Sequence, residues 1–204
     1  MSLGTVDDGI ITLPLRTEWH ELPAAGEGDT AAAIGALVDR LGPSPEAAPG
    51  IRAGLTAVTD LAHRMAPGPR RSYALVRRPD SGLIDALLTF RLVGRGDVTV
   101  EQYLEAASRP LAADGVDVVN RTVERVRLPA GPGVASHDFT LDVDGEGVGN
   151  PALERAFLAL FPDGTETVVE FSLLTQDLAL FDDAQLFLAH FAAGDNPETP
   201  EGAR

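Results

Sequence analysis

The stretch GVASHDFTLDVDG, residues 133–145, decides the fold. Ala135, His137, Phe139, Leu141 and Val143 occupy every second position, and Ser136, Asp138, Thr140 and Asp142 fill the alternate ones. A period of two is that of a β-strand, whose successive side chains point to opposite faces. The first set predicts the core-facing side, and the second a polar side. The same stretch writes the three side chains of a hydrolytic triad, Ser136, His137 and Asp138, side by side. On a strand His137 points away from both neighbours. A base that cannot come within hydrogen-bond reach of its nucleophile does no triad chemistry. The expectation is therefore no catalytic residue here, and a half-buried histidine beside a polar strand face.

Just upstream, VDVVNRTVERVRL at 116–128 is rich in β-branched residues, and LPAGPG makes a turn into the quoted strand. Downstream, the segment 151–161 carries two signals. Asn150-Pro151 reads as a helix start, with Leu153, Phe157, Leu160 and Phe161 in a helical stripe. The Pro162-Asp163-Gly164 turn before ETVVEFSLLTQ asks instead for a strand on each side, and strand is the reading taken. FDDAQLFLAHFAAG then forms a closing helix with Asp182 as N-cap, which sets Phe181 and Leu186 at hydrophobic-staple spacing.

The N-terminal half alternates in the same way between periods. Ile11, Leu13 and Leu15 predict a first strand, with Pro14 at an edge or bulge. Asp29 caps a helix whose Ile34, Leu37, Val38 and Leu41 lie on one face and which Gly42-Pro43 closes. A second helix over about 50–66 carries Ile51, Leu55, Val58, Ala62 and Met65, and stops at Pro67-Gly68-Pro69. Strands at 70–78 and 83–93 flank a PDSG turn. Thr99 and Gln102 form a capping-box pair for a third helix, which Pro110 shortens and Gly115 ends. Strands joined by short turns make an antiparallel sheet. The fold class is α+β: a sheet of about six or seven strands flanked by helices, in a single domain over 1–195 with a helical insert at about 28–67 and a disordered tail at 196–204.

Composition sets limits. The 204 residues include no cysteine, so disulfides, thiolate metal sites and a cysteine nucleophile are excluded. All 16 basic residues are arginine, which removes lysine Schiff-base chemistry and a P-loop lysine. The formal net charge of −15 repels nucleic acid and anionic lipid. MSLGTVDDGI lacks the basic and apolar regions of a signal peptide, and no stretch approaches the roughly 20 apolar residues of a membrane span. A cytoplasmic protein without membrane or nucleic-acid partners is expected.

Other motifs carry little chemistry. Arg95-Gly96-Asp97 sits where a loop between strand and helix places such residues. In DVDGEGVGN, Asp142, Asp144 and Glu146 fit calcium-loop positions, but Leu153 stands where a bidentate glutamate is required. His20, His63, His137 and His190 show no metal-ligand spacing, so no metal and no cofactor are expected. Arg70-Arg71, Arg77-Arg78 and the row Arg121, Arg125, Arg127 read as exposed strand charges paired with carboxylates, the alternative being an anion site.

TLPLRTEW at 12–19 and FLALFPDGTETVVEFSLLTQDLALFDDAQLFLAHF at 157–191 resemble the PsbP-like α/β/α sandwich in its actinobacterial version, and the lysine-free composition suits such a source. The resemblance covers about two thirds of the chain in pattern, and it matches no functional residue. It implies a non-catalytic binding or assembly protein, as most members of that superfamily are. The expected function is thus a non-catalytic interaction or assembly domain with a protein partner or as a homodimer. The alternative is a small-ligand-binding protein or a hydrolase-type enzyme with a pocket between sheet and helices, using His137 or His20 with a carboxylate.

Overall fold

The computed structural model describes residues 4–5, 12–13, 15–26, 28–65, 68, 70–109, 116–142 and 152–193. The expected tail at 196–204, most of the acidic loop after Asp142, and Gly115 lie outside these residues. Two short strands, β1 (Gly4–Thr5) and β2 (Thr12–Leu13), pair only with each other. The main sheet contains β3 (Trp19–Glu21), β4 (Arg71–Leu75), β5 (Ala86–Gly94), β6 (Val116–Leu128), β7 (Gly131–Asp142), β8 (Ala152–Leu160) and β9 (Thr167–Thr175). Its order is β3-β4-β5-β9-β8-β7-β6, antiparallel throughout. Two meanders, β3–β5 and β6–β9, therefore join along one β5–β9 seam. The α+β class and the antiparallel sheet expected from the alternation are present, and Ala152–Leu160 is the strand that the Pro-Asp-Gly turn demanded.

The helices cover both faces. On one face lie α1 (Thr30–Leu41) and α2 (Ala48–Arg64), whose Ile34, Leu37, Ile51 and Leu55 pack on Ala74, Leu87 and Leu174. The inserted helices are thus core. Further along the same face, α3 (Val100–Ser108) packs on Val134, Ala159 and Val168. On the opposite face α4 (Ala184–Ala192) closes a core of Trp19, Leu88, Leu158 and Phe171.

Local signals place most helix ends. Asp29 accepts from the amides of Ala31 and Ala32, and Gly42 ends α1 in the left-handed region at φ 61°. Thr99 and Gln102 make the reciprocal bonds of a capping box at α3. The helix stops at Ser108, ahead of Pro110, because a residue before proline is driven out of the helical region. Replacing Thr99 by alanine is expected to cost about 1 kcal/mol of unfolding free energy, measured by urea titration. A loss indistinguishable from zero would show that tertiary packing alone holds this end.

Three expectations are corrected. The strand expected from Ile11, Leu13 and Leu15 is present among the described residues as the short β2, which pairs with β1, and the main sheet begins instead at Trp19–Glu21. The cap of α4 is Asp183, which accepts from the Leu186 amide at 2.8 Å, and not Asp182. With the start one residue later, Phe181 packs on Phe187 at a ring separation of 4.7 Å instead of meeting Leu186. Third, the Ser136–Asp138–Thr140 side of β7 is buried, not solvated, because α2 and α3 lie over it.

Candidate binding site

Strand registry sets three parallel rows of side chains on the face under α2 and α3. The middle row runs Ser72, Thr89, Ser172, Phe157, Ser136 across five strands. On one side of it Arg91 stands opposite Glu170, with Arg70 just before β4. On the other side Arg155, Asp138 and Arg121 stand abreast on β8, β7 and β6. The apolar contacts of α2 and of α3 are centred on different parts of the face, and between them lies a cavity of about 480 Å³. Thr89, Ser136 and Ser172 present hydroxyls to it. Leu61 of α2, Met65 just past its end, and Ala106 and Ala107 of α3 form its apolar walls, with Phe157 of β8.

The two carboxylates beside this cavity are buried, and the arginines around it are partly exposed. Asp138 is fully buried and accepts both guanidinium contacts of Arg155, the one from Nε at 3.0 Å. Arg121 Nε lies 3.1 Å from Asp138 Oδ1, but off the hydrogen-bond axis, so neither atom gains a hydrogen bond. A second Arg121 nitrogen donates to the Arg109 carbonyl at 3.0 Å, just past the end of α3. Glu170, also buried, accepts from Arg91 and from the Tyr103 hydroxyl. Burial, and then the bond to Glu170, push the Tyr103 phenol well above its ordinary pKa. Arg70 has a buried Nη2 with no hydrogen-bond acceptor among the described residues. Burial and the like charge of Arg91 weaken its hold on its proton, against the pull of Glu170.

Of the residues singled out in the sequence, Ser136 and Asp138 belong to this face and His137 to the other. There His137 Nε2 meets Glu154 Oε1 at 2.7 Å and its ring lies 4.8 Å from that of Phe139. No triad assembles from the three. His63 bonds the Pro23 carbonyl at 3.0 Å, His190 sits on α4, and His20 lies on β3 with its pKa lowered by burial and then by Arg40. Among the described residues, no three potential metal ligands cluster. Arg95 holds the β5–α3 turn and lies over the Phe161 ring at 5.5 Å. Asp144 and Glu146 of the acidic loop lie outside the described residues.

Reading the arginines as paired surface charges holds for several. Arg71 pairs with Glu21, Arg77 with Asp85, Arg125 with Glu101 and Arg127 with Asp163. It fails for Arg70, which lines the cavity and forms no ion pair with a carboxylate among the described residues, and for Arg121, whose side chain is only 17 % exposed and faces the cavity. Arg91, Arg155 and Glu170 were not foreseen at all. Their signal is a charge in an otherwise apolar strand, as in ALLTFRLVG and TVVEFSLLT.

No protein-family model matches the chain. No curated protein matches it. Among solved structures it is similar to PA94 from Pseudomonas aeruginosa, described as a protein of unknown function, with 16% identity, a TM-score of 0.35, and coverage of 57% of this chain and 75% of that one. A likeness at that level assigns neither fold nor role.

Proposed function

We propose that the chain is a non-catalytic binding protein that takes a small organic anion in the cleft between sheet, α2 and α3. One observation carries this reading: four arginines, Arg70, Arg91, Arg121 and Arg155, line one concave site that also has apolar walls. A pocket of this kind, mostly apolar with a few convergent polar groups, is the usual form of a small-molecule site. The reading is non-catalytic in that, among the described residues, no histidine lines the cavity beside Ser136 and Ser172, and Glu170 and Asp138 are held by arginines. It agrees with the PsbP-like resemblance, whose layer order also sets helices on both sides of an antiparallel sheet. A cytoplasmic setting belongs to the same reading, on composition alone.

The test is a titration with anilinonaphthalene sulfonate, an amphipathic anion whose fluorescence rises in apolar sites. Saturable one-to-one binding is expected. Ala106→Trp, at an exposed lining position, is expected to weaken it at least tenfold while leaving the urea midpoint unchanged. Binding that Ala106→Trp does not alter would place the anion elsewhere and end this reading.

A further inference from the structure

Resting on the cleft reading above, we infer that the ligand is a long-chain carboxylate, its head in the cleft between α2 and α3 and its hydrocarbon chain laid along α2 into a second cavity. That second cavity, of about 370 Å³, lies between α2 and one end of the sheet, where β5 and β8 begin and β9 ends. Leu87, Leu153 and Leu174 of the sheet, and Ile84 ahead of β5, supply apolar surface to it. Leu61 of α2 and Leu174 of β9 line both cavities, so the two adjoin at these side chains.

One flank of α2 runs past both. Gly50, Gly54, Ala57, Val58 and Leu61 line the second cavity, and Leu61 and Met65 line the cleft. Spacings of three and four residues put this set on a single helix face. From Gly50 to Met65 the chain rises about 22 Å, the reach of a long alkyl chain and more than a compact solute spans. The sheet continues the same track beneath. Along β9 the floor passes from Ser172 in the cleft to Leu174, and along β8 from Arg155 in the cleft to Leu153 in the second cavity. Arg155 and Leu174 stand opposite each other, and residues two apart on a strand share a face, so the floor changes from polar to apolar without leaving that face.

Charge orients the ligand along this track. The arginines line the cleft, and Arg70 among them forms no ion pair with a carboxylate among the described residues. No basic residue lines the second cavity among the described residues, whereas Asp85 does. A carboxylate is costly to bury without a counter-charge, so the head belongs in the cleft and the chain beyond Leu61 and Leu174. Each methylene taken out of water there strengthens binding by up to about fourfold.

The experiment titrates octanoate, decanoate, dodecanoate and dodecanol into the protein by calorimetry, below the concentrations at which they form micelles. Affinity is expected to rise by at least about twofold per methylene from octanoate to dodecanoate. Ala57→Trp, at an exposed position that lines the second cavity and not the cleft, is expected to abolish that rise and leave octanoate binding unchanged, with an unchanged urea midpoint as the control for folding. Affinity that is already level at octanoate in the wild type, or a rise that Ala57→Trp does not alter, would overturn the second cavity as the seat of the chain while leaving a small-anion cleft intact. Dodecanol binding as tightly as dodecanoate would overturn the carboxylate head. Failure of all three carboxylates while the naphthalene probe still binds would overturn this inference alone, and failure of the probe as well would remove the underlying reading.

Discussion

Replacing Asp138 by alanine lowers the unfolding free energy by about 3–5 kcal/mol, the range seen when one partner of a buried ion pair is removed. Asp138 has no exposed surface and stands between Arg155 and Arg121 on adjacent strands. Alanine leaves both guanidinium groups in a covered face with no counter-charge between them. Asp138→Asn keeps an acceptor for Arg155 but not the charge, and falls between wild type and alanine. The informative companion is the triple variant Arg121→Met, Asp138→Leu, Arg155→Met. Buried ionic clusters exchanged for apolar side chains of similar volume are often as stable as the original or more so. The triple variant is therefore expected to recover most of the loss while binding no organic anion. Urea titration at low salt measures all three. A loss below about 1 kcal/mol for Asp138→Ala, the level of an exposed pair, would mean that water reaches the cluster.

The second large effect is at Gly131, in the turn from β6 to β7. Its φ of 149° is one that side-chain-bearing residues avoid, and a Cβ there would stand 2.1 Å from the Phe161 carbonyl oxygen. That oxygen is backbone and cannot swing aside. The same corner is tied by the Phe161 amide to the Pro132 carbonyl at 2.9 Å and the Asp163 amide to the Ala130 carbonyl at 2.8 Å. Strain at such a conformation and overpacking each cost about 1–3 kcal/mol, so Gly131→Ala is expected to lose about 2–6 kcal/mol. Gly164 separates the two causes. It also has positive φ, at 77°, but nothing lies within 4 Å of its missing Cβ. Gly164→Ala should therefore cost about 1 kcal/mol. Equal losses at the two positions would show that conformation, not the clash with Phe161, governs the corner.

The sheet was legible in the sequence because alternation over ten or more residues has one physical reading. That is why β6 has the bounds its sequence predicts, β7 lies within about three residues of them at each end, and Ser136 and His137 fall on opposite faces. The conflicted segment at Ala152–Leu160 resolved through its turn: Pro162-Asp163-Gly164 joins it to β9. The site was not legible, for a different reason. Alternation says that Ser136 and Asp138 share a face, and says nothing about which strand lies beside them or what covers them. Arg91 meets Glu170 only because β5 pairs with β9, and that pairing is written in neither strand alone. Nor does a polar strand face announce a helix above it. The buried charges of β5, β8 and β9 were the available clue, since an ion in an apolar strand is costly unless matched across the sheet.

The seam between the two meanders has a kinetic consequence. Arg91 and Glu170 are 79 residues apart in the chain, and Arg70 lies further still from Arg155. Each meander forms through contacts between neighbours in sequence, whereas their union must close a long loop and belongs to the slow events of folding. On a ribosome β5 emerges early and its open edge waits for β9, the last strand synthesised. In that interval the nascent chain exposes a strand able to recruit a neighbour, and the cleft between the sheet, α2 and α3 does not yet exist. It comes into being when the two halves zip together.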